Sequence, residues 1–214
     1  MMVPGRFFLA AAIPTVLLPV SLAAQSGTPA HVHPAGSPPL PEQTAGITAI
    51  RIPDVELINQ DGKKLRVYSD LIQGRIVVIN TIFTTCTTIC PLMGANFAKL
   101  SRLLTPEGPD KLKLISISVD PAQDTPERLK AWAAAFGGTG AEWTLLTGAK
   151  GEIDRLLKAL QVFSADKQDH SPVVLIGGGE GDWTRASALL PPKTLAELVH
   201  TRLTSPAGKS TSRQ

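Results

Sequence analysis

Cysteine is scarce in this chain, with two residues, Cys86 and Cys90, among 214. That supply excludes the disulfide framework of a small secreted scaffold. A bridge between neighbours separated by three residues would also restrain the unfolded chain little, so a structural staple is a poor account of the pair. Aromatic residues make up only 5% of the chain, with a single tyrosine, and no basic stripe is interleaved with them. Nucleic acid is therefore not expected as a partner. The formal net charge of +3 is small for this length and selects no partner class. No internal repeat occurs. Gly177-Gly178-Gly179 lacks the following helical stripe that a phosphate loop needs, and with Asp182 it suits a β-turn.

What is present is 43% hydrophobic and 18% charged, enough for one ordinary domain with a core and some non-globular flanks. Arg6 precedes the uncharged run 7–24, which ends on Ser21-Leu22-Ala23-Ala24 before the polar Gln25-Ser26-Gly27. A positive start, an apolar stretch and small residues read as a secretory signal. Left uncleaved, the same run just reaches the length of a single-span anchor, with Pro14 and Pro19 inside it. Either way the body of the protein is expected outside the cytoplasm, periplasmic or otherwise extracytoplasmic, with membrane association possible through residues 7–24. Residues 25–49 are rich in Gly, Pro, Ser, Thr and Ala and read as a flexible linker. The folded domain is expected over 50–204, followed by a disordered tail at 205–214.

Within the domain, strand and helix patterns alternate. Residues 55–58 and 64–67 flank Asn59-Gln60-Asp61-Gly62, where Asp-Gly signals a hairpin. The runs 76–83, 112–119 and 173–176 are apolar and rich in β-branched residues, as strands buried on both faces are. Helical stripes run through Met93, Phe97, Leu100 and Leu104, through Leu129, Trp132, Ala133 and Phe136, through Ile153, Leu156, Leu157 and Leu160, and through Leu195, Leu198, Val199 and Leu203. Thr125-Pro126-Glu127 supplies a cap, a first-turn proline and an acidic first turn. Buried strands alternating with helices imply an α/β fold with a partly parallel central sheet.

The informative stretch is Phe83-Thr84-Thr85-Cys86-Thr87-Thr88-Ile89-Cys90-Pro91. Its cysteines fall in a strand-to-helix turn, beyond the carboxyl end of a strand, where α/β sheets place ligands. Pro91 suits the first helical position, which makes Cys90 the expected N-cap and exposes its thiol to the positive end of the helix dipole. Thiolate both attacks disulfides and ligates soft metals. The three-residue spacing allows two sulfurs to converge on one ion and still allows a disulfide.

This stretch resembles the metal motif of the Sco/SenC copper chaperones. Ser118-Val119-Asp120-Pro121-Ala122-Gln123-Asp124-Thr125-Pro126-Glu127 resembles a second signature of that family and Asp169-His170-Ser171 a third, in the same order. Trp143 and Leu146-Thr147-Gly148 fall where the family has a similar segment. The resemblance implies a thioredoxin-like fold, a mixed sheet flanked by helices with an N-terminal β-hairpin. It also implies one copper ion per chain, Cu(I) or Cu(II), held by Cys86, Cys90 and His170. Family members assemble the binuclear copper centre of cytochrome c oxidase, so the resemblance implies a copper-receiving respiratory protein, and a copper donor, as partners. The chain departs from the family at 160–168, without the usual tyrosines, and at Leu175-Ile176, where the family often has Tyr-Leu.

Two soft thiolates suit Cu(I), and an imidazole from His170 extends the set to Cu(II). Asp169 is a candidate acceptor for the imidazole N–H. His31 and His33 alternate in the linker and read as solvated arm residues able at most to chelate weakly. His200 shares a helix face with Lys193 and Glu197 and reads as surface. Turn chemistry accounts for Asp120 and Asp124, although Asp120 could face the metal loop. Pro172 is a candidate for a cis-proline. The first reading is a copper chaperone without turnover. The second is a thiol–disulfide reductase that keeps partner cysteines reduced for metallation, with Cys86 attacking and Cys90 resolving. A peroxidase reading lacks support, because no arginine accompanies the motif.

Overall fold

The structure, a computed structural model, describes residues 44–137, 143–179 and 181–204. The run 7–24, His31, His33 and the tail 205–214 lie outside the described residues.

The hairpin forms where Asp-Gly places it. β2 (Glu56–Asn59) pairs antiparallel with β3 (Lys64–Arg66). Gly62 takes a φ of +77°, open to glycine at no steric cost. The Asn59 side chain accepts the N–H groups of Asp61 and Lys63 at 3.0 and 2.8 Å, closing the turn locally. The three apolar runs become β4 (Ile76–Ile82), β5 (Leu112–Ser118) and β7 (Val173–Gly177). Three strands were not legible as such: β1 (Thr44–Ile50), β6 (Trp143–Thr147) and β8 (Gly181–Ser187). β1 lies almost wholly in the stretch read as linker. Its pairing with β8 is made by main-chain hydrogen bonds, which composition does not report.

All eight strands join one sheet in the order β1-β8-β7-β4-β5-β6-β2-β3. β4, β5 and β6 are parallel, whereas β7, β8, β1 and the hairpin attach antiparallel. The sheet is mixed, as the alternation of elements implied. Its strands alternate between two cores. Val78, Ile82, Leu112, Leu114, Val174 and Ile176 face one side, where α1 (Cys90–Leu104), α2 (Pro126–Ala134) and α4 (Pro192–Thr204) pack. Val77, Ile79, Ile115, Ile117 and Leu175 face the other, covered by α3 (Lys150–Ala159) and a π-helical turn at Val67–Ile72. At about 25 cal/mol per Å² of apolar surface removed from water, burial on both faces is the main favourable term in this fold. Thr125 caps α2 as expected, accepting the Arg128 N–H at 3.3 Å. Gly94, inside α1, leaves room for the Phe136 and Trp132 rings, since a Cβ there would come within 2.6 Å of Phe136.

Candidate metal centre

The site lies beyond one end of the sheet's central strands, assembled by strand direction. β4 ends at Ile82 and releases the Cys86 loop, and β5, parallel to it, ends at Ser118 and releases the Asp120–Asp124 loop at the same end. β7 runs antiparallel to β4, with Val174 opposite Asn80. Its amino-terminal end, preceded by His170, therefore arrives where β4 leaves off. Three chain segments far apart in sequence meet there.

Cys90 is fully buried and opens α1 as its first helical residue; the flanking Ile89 already has α-helical dihedrals. This corrects the expected cap: Pro91 stands at the second position, and Cys90 points inward instead of capping. The main-chain N–H of Cys90, one of the first-turn groups with no partner inside the helix, donates instead to Cys86 Sγ at 3.4 Å. The Thr88 hydroxyl lies 3.6 Å from the same sulfur. Burial opposes ionisation of Cys86, but the hydrogen bonds from Cys90 and Thr88 outweigh it and bring its pKa down from 9.0 to about 7. Burial dominates for Cys90 and pushes its thiol up to about 12; a main-chain hydrogen bond at Phe83 offsets this in part, while the neighbouring Cys86 and Asp124 add to it. The helix terminus thus favours thiolate at Cys86, where the sequence alone pointed to Cys90. The two thiols are free and not joined to each other.

His170 is buried, 6% exposed, and its Nε2 lies 3.8 Å from Cys90 Sγ. Its Nδ1 lies 2.7 Å from the Lys167 carbonyl. A carbonyl only accepts, so Nδ1 carries the proton and the Nε2 lone pair faces the Cys90 thiol. The acceptor is therefore Lys167 O, and the candidate role of Asp169 falls away. The Phe83 ring meets the imidazole edge-on with centroids 5.4 Å apart. Of the three expected ligands, Cys90 and His170 are in direct contact, and Cys86 is one hydrogen bond away through the Cys90 N–H. Among the described residues, no three His, Cys, Asp or Glu side chains yet surround a common point.

Several supporting residues went unrecognised or underread in the sequence. Asp124 is fully buried and does more than shape a turn. It accepts the Thr84 N–H at 3.1 Å, the Thr84 hydroxyl at 2.5 Å and the Ser118 hydroxyl at 2.6 Å, tying the cysteine loop to the end of β5. Asp120 forms a 2.6 Å ion pair with Lys167, three residues before His170. The motif positions of both aspartates were the available signal, but their partners were not. His200 is exposed and lies 3.3 Å from Glu107, away from the cysteines as expected. Every peptide bond among the described residues is trans, so Ser171–Pro172 is not a cis bond.

Comparison with known proteins agrees with this architecture. The SCO1/SenC family model matches residues 48–200. The SCO1 protein homolog of Bacillus subtilis is 40% identical over 108 residues, 50% of this chain and 53% of that protein. A Stutzerimonas stutzeri protein named as a candidate for copper binding is 33% identical over 109 residues, 51% of each chain. Each match thus spans about half the length of the relative. The solved structure of BsSco, described as a Sco-family cytochrome c oxidase assembly protein with a disulfide switch, superposes with a TM-score of 0.62 at 27% identity, covering 73% of this chain and 95% of that one. With its thioredoxin-like mixed sheet and a family match running through all three motif segments, this chain belongs to the SCO1/SenC family.

Proposed function

We propose that this protein is a copper-binding metallochaperone of the extracytoplasmic space, taking one copper ion on Cys86, Cys90 and His170 and passing it to a respiratory copper centre such as that of cytochrome c oxidase. The observation that carries this reading is the 3.8 Å approach of Cys90 Sγ to the lone-pair side of His170 Nε2, with Cys86 linked to Cys90 across the helix start. Two sulfurs and one imidazole form a soft donor set that fits Cu(I) and, through the nitrogen, Cu(II). The ion is cargo: Cys86, Cys90 and His170 would hold it, and exchange of these ligands for those of the recipient would release it. The Stutzerimonas relative's name and the oxidase-assembly description of BsSco support the copper reading and the recipient. Export rests on the signal-like or anchor-like run at 7–24.

Copper titration tests the site. Wild type is expected to bind one ion per chain, and Cys86→Ser and Cys90→Ser to lose high-affinity binding, because a hydroxyl is a poor soft ligand. Full binding by both single variants would overturn the assignment.

A thiol–disulfide reductase remains the second reading, favoured by the unequal thiols. Cys86, near 7, suits attack on a partner disulfide, and buried Cys90 suits resolution. Such a reductase has no need of His170. Robust disulfide reduction by His170→Ala, with unchanged Cu(II) absorption, would favour it.

A further inference from the structure

His170 reaches Cys90 from a loop, and a loop holds a ligand in place only where something anchors it. Asp166 closes the short turn at 167–169, accepting the Gln168 and Asp169 N–H groups at 2.8 and 3.1 Å, and Lys167 ties that turn to the rest of the site. Its carbonyl receives the imidazole Nδ1–H at 2.7 Å. Its ammonium pairs at 2.6 Å with Asp120, which is only 12% exposed and belongs to the loop leaving β5. The same ammonium sits 5.4 Å from the centroid of the Phe83 ring, which in turn contacts the imidazole edge.

We propose that Lys167 is a positioning residue for the nitrogen ligand. By anchoring to Asp120, it fixes the carbonyl that keeps His170 in the Nδ1–H tautomer and aims Nε2 at the cysteines. The proposal rests on the copper reading for its consequence, though its geometry stands without metal. Orientation of a ligating histidine through its second nitrogen commonly changes metal affinity by 10–100-fold on mutation. Cu(II), which favours nitrogen donors, should depend on that orientation more than Cu(I), which two thiolates can hold. The sign of the effect separates positioning from charge. Removing a cation near a bound cation should tighten binding if charge alone mattered. Losing the anchor should weaken it.

The test compares wild type, Lys167→Met and Lys167→Arg, the last keeping a cation able to reach Asp120. Two readouts are used: long-range proton–nitrogen NMR of the metal-free His170 ring, and separate Cu(II) absorption and Cu(I) competition titrations. Lys167→Met is expected to show a mixture of imidazole tautomers and Cu(II) affinity about tenfold lower, with Cu(I) affinity within about threefold of wild type. Lys167→Arg should restore the single tautomer and the Cu(II) affinity. Unchanged or tighter Cu(II) binding in Lys167→Met, equal losses for both valences, or no recovery in Lys167→Arg would overturn the proposal. If Lys167→Met fails to fold, Asp120→Ala removes the acceptor and breaks the same pair from the other side. A single retained tautomer in that variant would likewise overturn it. If wild type binds no copper at all, the chaperone reading falls, and the metal-free tautomer measurement still decides the role of Lys167.

Discussion

Cys86 and Cys90 are chemically identical residues with three residues between them, and the fold makes them different acids. One sulfur receives donors from Cys90 and Thr88; the other is enclosed by the core of α1 and β4. Alkylation by iodoacetamide should follow this split, since thiolate is the reacting form. In the metal-free native protein the rate at Cys86 is expected to rise with pH through a midpoint near 7, while Cys90 stays unreactive until far higher pH. Equal rates with midpoints near the ordinary 9.0, read by mass spectrometry of each peptide, would refute the split. That the two cysteines fall in one strand-to-helix turn was legible from the sequence. Which one ionises was not, because that depends on where a single N–H points.

Elements were legible where apolar residues ran long or fell at helical spacing; β6, five residues reading Trp-Thr-Leu-Leu-Thr, escaped although every position is buried. β4, β5 and β7 and the four helical stripes announced themselves by hydrophobic pattern. β8 reads Gly-Asp-Trp-Thr-Arg-Ala-Ser and β1 Thr-Ala-Gly-Ile-Thr-Ala-Ile, neither a clean alternation, and both are strands because a neighbour's backbone pairs with them. The loops that carry the site are held by buried polar contacts, which leave no periodic trace. Asp124 is the clearest of these, joining Thr84 to Ser118. Replacing it with alanine strands three donors and is expected to cost about 3 kcal/mol or more in urea denaturation. Asp124→Asn, which keeps an acceptor, should cost less. A change within about 0.5 kcal/mol for the alanine variant, typical of a surface position, would show that the clamp is not structural.

The site depends on the sheet as a unit, so occupancy should feed back on the stability of the domain. A ligand that binds only the native state stabilises it by about 2.7 kcal/mol at a hundredfold excess over its dissociation constant. Cu(I) under reducing conditions is expected to raise the melting temperature by several degrees, and Cys90→Ser to abolish most of that rise. An undiminished rise in the variant would place the ion elsewhere. Sequence was sufficient for the parts whose information is local: the hairpin at Asp61-Gly62, the Thr125 cap, the apolar strands, and the three motifs with Cys86, Cys90 and His170 as their reactive members. Tertiary structure alone decided how those parts meet. Only the antiparallel return of β7 beside β4 brings His170 to Cys90, and only the fold selects Lys167 O over Asp169 as the imidazole's acceptor and pairs Asp120 with Lys167. The reason is physical: hydrophobic period and turn chemistry act between near neighbours in the chain. Burial, hydrogen-bond direction and ion pairing act between neighbours in space, and those exist only once the sheet has formed.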